Sequence, residues 1–124
     1  MSWADSLTLN QTDGIVILHR GKIVHERDFG ALNAERQHIA FSVRKSFFGT
    51  LPGWSYHHFW WVSHDHHGVY MARGIHGQAI YVDPKAEMVI ARFASHPLAG
   101  NVNLDPLSLP AYRAVAEYLM EGGK

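Results

Sequence analysis

The chain has 124 residues, with 11 Lys+Arg set against 11 Asp+Glu, 47% hydrophobic and 18% charged residues, and no cysteine. That composition fits one folded domain spanning 1–124 and excludes disulfides, thiolate nucleophiles and Cys-ligated metals. The zero formal charge removes the electrostatic argument for nucleic acid or an anionic membrane as partner. No apolar run has the length of a membrane span. Met1 to Asp5 carries neither the basic nor the apolar region of a secretory signal, so the cytoplasm is the expected compartment.

In chain order, residues 13–29 read as a hairpin. Gly14 to His19 is β-branched and apolar, Arg20-Gly21-Lys22 is a turn, and Ile23 to Arg27 continues outward. The first of these strands is apolar throughout, which places it centrally in a sheet. Residues 41–51 have helical spacing, with Phe41, Lys45 and Phe48 on one face, and Pro52-Gly53 ends the segment. Residues 54–61 are an aromatic stretch suited to core and interface. Three short strands follow, at 68–74, 78–82 and 87–94, with Asp83-Pro84-Lys85 as the turn between the last two. A C-terminal helix closes the chain, with Ser108 at its N-cap, Pro110 in its first turn and Gly122 just past its end. The fold class is therefore α+β: a small antiparallel sheet, made of an N-terminal hairpin and a three-strand C-terminal meander, with helices packed on it.

Ser42-Val43-Arg44-Lys45 is the pattern that carries chemistry. At i and i+3 on a helix the lysine ammonium reaches the serine hydroxyl. Serine needs such a base, and lysine serves as one only where burial or a like charge lowers its pKa. Phe41, Phe47 and Phe48 supply apolar surroundings, and Arg44 a neighbouring charge.

Residues 13–30, 38–50 and 60–84 resemble the opening hairpin, the nucleophile helix and the final strands of the serine β-lactamase-like superfamily, closest to its nylon-oligomer (aminohexanoate-dimer) hydrolase and family VIII esterase branch. The resemblance implies an acyl-enzyme on Ser42 with Lys45 as base, no cofactor and no metal. It implies an oxyanion hole from the backbone N–H groups of Ser42 and Ile75. Ala72-Arg73-Gly74 stands where relatives have Lys-Thr-Gly, and Trp61 matches a pocket-lining tryptophan. Tyr56, Arg73, Gly74 and His76 complete the expected substrate pocket. The substrate class is a small ester or amide.

Relatives carry a helical region with a Tyr-x-Asn motif between the nucleophile helix and the final strands. This chain has no Tyr-x-Asn, and residues 51–54 mark the expected deletion junction. Tyr56, His57, His58 and His76 are the candidates for the vacant tyrosine role. The uncovered face, with Phe47, Phe48, Leu51, Trp54 and Trp60, predicts a homodimer or higher oligomer. A non-catalytic, self-associating remnant of the fold is the alternative. A metal-binding module is the third reading, because five of the ten histidines fall between His57 and His67 and His64-x-His66 would share a strand face.

Overall fold

A computed structural model describes residues 2–29, 53–58, 60–98, 100 and 105–122. Its elements are helix α1 (Trp3–Leu9), strands β1 (Thr12–His19), β2 (Lys22–Asp28), β3 (Ser55–His57), β4 (Trp60–Val62), β5 (Tyr70–Arg73), β6 (Ala79–Asp83) and β7 (Met88–Ala94), and helix α2 (Asp105–Met120). The strands form one antiparallel sheet in the order β2-β1-β7-β6-β5-β4-β3. The expected hairpin, meander and C-terminal helix are all present, in an α+β fold. Ser42 and Lys45, with the rest of the expected nucleophile helix and positions 51 and 52 of the expected junction, lie outside the described residues.

Side chains alternate across a sheet, so register decides what shares a face. One file crosses the sheet as His25, Ile17, Ile90, Tyr81, Met71, Trp61 and Tyr56. The neighbouring file holds Ile15, Arg92, Ala79 and Arg73. Both files lie on the face that carries the helices. Ile17, Ile90, Tyr81, Met71 and Trp61 join Leu7 of α1 and Tyr112 and Ala116 of α2 in one buried core. On the other face Val16, Leu18, Ile80, Val82, Val89 and Ala91 are only half-buried.

The structure departs from expectation in three places. The aromatic stretch contains two strands, because Tyr56 pairs with Trp61 and His57 with Trp60 across a tight connection. Trp54 packs against the core and Trp60 meets Tyr70 edge-on at 5.3 Å, so both are half-buried rather than open. Helix α2 begins at Asp105, so Ser108 is not its cap and Pro110 lies inside the helix. The Ser108 hydroxyl instead accepts a hydrogen bond from Arg92 Nη1 at 2.7 Å. At the other end Gly122 sits just past the helix with φ +96°, as a C-terminal glycine should.

Helix α1 has no counterpart in the sequence reading. Its first turn is held by a reciprocal pair: Asp5 N–H donates to Ser2 Oγ at 3.1 Å, and Ser2 N–H donates to Asp5 Oδ2 at 2.9 Å. At the hairpin, Ile17 pairs with His25 and Leu18 with Ile23, which leaves Val24 as a bulge on the edge strand.

Ile90 is fully buried at the middle of the central file. Ile90→Ala is expected to cost about 2–5 kcal/mol, read as a lower denaturation midpoint with an unchanged slope.

Candidate active site

The described part of the expected site is the end of β5 and the turn after it. Gly74 is extended (φ −112°, ψ 163°), and Ile75–Gly77 form a single 3-10 turn with His76 in the left-handed region at φ 59°. A non-glycine residue holds that conformation only when its surroundings enforce it. Here they do. His76 Nδ1–H donates to the His96 carbonyl at 2.7 Å, and His96 N–H donates back to the His76 carbonyl at 3.2 Å.

Gln78 completes the frame. Its Nε2 donates to the carbonyls of Ala94 at 2.6 Å and of Ile75 and His76 at 3.3 Å each, while its Oε1 accepts from Ala94 N–H at 3.1 Å. Arg92 Nε donates to the Gly77 carbonyl at 2.9 Å, and Gly74 N–H to the Gln78 carbonyl at 2.9 Å. All three carbonyls of the turn are thus engaged. None of these bonds uses the N–H of Ile75, which starts the turn.

Tyr56, Trp61 and Arg73 come together on the helix-bearing face. The Tyr56 and Trp61 rings lie 5.2 Å apart, and the Arg73 guanidinium sits 5.4 Å from the Trp61 ring centre. Arg73 Nη2 donates to Asp105 Oδ2 at 2.6 Å at the start of α2, and both Arg73 and Trp61 are buried. Burial pulls the Arg73 pKa down and pushes that of Asp105 up, and for each group the partner's charge opposes the shift without cancelling it. Arg73 therefore works as a strut between sheet and helix. Gly74 and His76 belong to the turn itself.

Two further polar anchors escaped the sequence reading. His67 Nδ1–H donates to Asp83 Oδ2 at 2.6 Å with both side chains buried, and Asp83 Oδ1 accepts from Ala86 N–H at 3.0 Å. Asp65 caps its own loop by accepting from the N–H groups of His67 and Gly68, each at 3.0 Å, and pairs with Arg113 of α2. Burial would raise the Asp65 pKa, but the Ser63 hydroxyl, Arg113 and the backbone donors outweigh it and hold the carboxyl below its ordinary value. The Asp-Pro turn and the histidine run were visible in sequence. Nothing local marked their pairing across 16 residues. Among the described residues no group of three or more His, Asp or Glu gathers as a metal site. His64 Nε2 instead shares a 2.5 Å hydrogen bond with Ser55 Oγ.

No family model matches the chain. It is similar to a solved structure described as "Putative 6-aminohexanoate-dimer hydrolase from Bacillus anthracis", with 35% identity and a TM-score of 0.50. The match covers 55% of this chain and 17% of that one. This supports a relationship to β-lactamase-like hydrolases.

Two outcomes follow from these anchors. Removing one member of a buried ion pair strands the other, so Arg73→Met is expected to cost about 3–5 kcal/mol. The double variant Arg73→Met/Asp105→Leu should recover most of that loss, and chemical denaturation of the three proteins checks both values. Asp65→Asn should cost about 1–2 kcal/mol at pH 7. A depressed carboxyl pKa stabilises the fold above its unfolded value and loses that effect as pH falls through the folded value, so the gap between variant and parent should close between about pH 5 and 3 in urea titrations.

Proposed function

We propose that this chain is a serine hydrolase of the β-lactamase-like type, acting on small activated esters or amides through an acyl-enzyme on Ser42. Lys45 takes the proton from Ser42 Oγ as it attacks the substrate carbonyl. The backbone N–H groups of Ser42 and Ile75 receive the negative charge on the tetrahedral intermediate. Collapse of the intermediate expels the alcohol or amine, which takes up the proton, and water then releases the acid from Ser42. Trp61, Tyr56, Gly74 and His76 belong to the surroundings of the substrate in this reading, and Arg73 positions Trp61.

The observation that carries the reading is the turn at residues 75–77. Its carbonyls are consumed by Gln78, His96 and Arg92, and the Ile75 N–H at its head takes no part in those bonds. An oxyanion donor needs an N–H that is fixed in place and, as here among the described residues, not spent on holding its own turn together. The similarity to a described hydrolase at 35% identity points the same way.

A second reading is a non-catalytic chain that self-associates through its apolar face. It is supported by the exposed apolar side chains of Ile23, Val24 and Leu98. The two readings separate on one experiment. Exposure to a fluorophosphonate, followed by intact-mass measurement, should show a single adduct that Ser42→Ala abolishes. The absence of any adduct after long exposure, with a concentration-dependent increase in sedimentation rate, supports the second reading instead. Ile75→Pro deletes the proposed donor, and the extended Gly74 tolerates a following proline. Labelling should then slow by about 10²- to 10³-fold. An unchanged rate removes Ile75 from the oxyanion hole.

A further inference from the structure

Three apolar side chains stand in water at one end of the helix-bearing face. Val24 of β2 is 50% exposed, and Tyr118 and Met120 of α2 are 48% and 41% exposed. All three line a cavity between α1, α2 and the β1–β2 hairpin, so they form one surface rather than scattered positions. Apolar side chains gathered in this way mark an interaction site. β2 and β3 are the opposite edges of the sheet, so this surface is separate from the aromatic one at residues 54–61.

Charge is divided across it. Lys22 pairs with His19, which lines the same cavity, so register places Lys22 on this face beside Arg20. On the α2 side, Glu121 is three residues from Tyr118 and four from Glu117, so helical spacing sets these exposed residues on one stripe. Among the described residues no ion pair engages Lys22, Glu117 or Glu121. Arg20 reaches Glu87 at 3.4 Å, but both side chains are largely exposed and such a pair holds weakly. The two glutamates also sit badly for their own helix. Its last turn holds no basic residue, and carboxylates at a helix C-terminus oppose the dipole. A cation brought from outside removes that conflict.

An occupant that matches this surface is apolar at its centre, basic on one side and acidic on the other. The chain itself meets that description. Related by a two-fold axis, the hairpin of one copy lies against α2 of the other, and every contact is made twice. Pairing along the β2 edge is opposed, because Val24 bulges there and Lys22, Glu26, Arg27 and Asp28 guard the strand. We propose that the chain forms a two-fold dimer through this surface. Val24 packs on the partner's Tyr118, while Arg20 and Lys22 meet the partner's Glu117 and the partner's Glu121. The proposal uses neither Ser42 nor the turn at 75–77, so it stands or falls apart from the hydrolase reading, on which labelling of Ser42 reports separately.

Sedimentation velocity of the full chain over a concentration series tests it. The chain should pass from monomer to dimer as concentration rises. Val24→Glu changes an exposed side chain and should weaken the dimer by about tenfold or more, with circular dichroism unchanged. Lys22→Glu and Glu121→Lys should each weaken it by about tenfold, since each reversal acts at two equivalent contacts. The double variant Lys22→Glu/Glu121→Lys restores opposite charges across the interface and should regain most of that loss. A chain that stays monomeric at every concentration overturns the proposal, as does a dimer indifferent to Val24→Glu. Weakening by both single charge reversals with no recovery in the double variant also overturns it, because the hairpin and α2 of two copies then do not face each other.

Discussion

The side-chain amide of Gln78 occupies the place of a backbone partner. Beyond the Ala79–Arg92 pair, β6 and β7 separate, and the amide bridges the gap by bonding both the N–H and the carbonyl of Ala94. The same nitrogen also binds the carbonyls of Ile75 and His76. One buried, uncharged group therefore sets where β7 ends, where β6 begins and how the turn between β5 and β6 is aimed. A charged residue there would cost desolvation, and a shorter amide would not span the distance. His76 can hold a left-handed backbone because its own carbonyl and ring are tied to Gln78 and His96.

Helix α2 is fastened to the sheet by polar groups as much as by its apolar stripe. Asp105 binds Arg73, Ser108 binds Arg92, and Arg113 binds Asp65, so successive turns of the helix each meet a different strand or loop. Tyr112 sits among them, 5.0 Å from the Tyr81 ring and 5.5 Å from the Arg92 guanidinium. Burying two arginines in a sheet this small opposes folding unless each finds acceptors, and the helix supplies one for each. Arg92 adds the Gly77 carbonyl, which couples the helix to the turn at 75–77.

Much of this fold was legible in sequence because it is local. The hairpin at Arg20-Gly21, the strands around Asp83-Pro84 and the C-terminal helix all follow from turn residues and periodicity within a few positions. Strands β3 and β4 were not, since three-residue strands of aromatics and histidines show no alternation long enough to read. Helix α1 is seven residues, and its only mark is the Ser2-x-x-Asp5 cap. Ser108 misled because a serine before an apolar run suits an N-cap, whereas its hydroxyl serves an arginine 16 residues earlier. For the candidate site, the Gly74–Gly77 segment was recognisable by resemblance. Its rigidity depends on Gln78, His96 and Arg92, which local spacing does not connect.

The polar fastenings of α2 also explain why its two halves differ. From Asp105 to Arg113 the helix is pinned at three points, and Tyr112 fills the space over the central strands. Past Arg113, Val115 and Leu119 pack against the core, and there the gap to α1 and the hairpin opens into a cavity. Val115 and Leu119 are half-buried rather than buried.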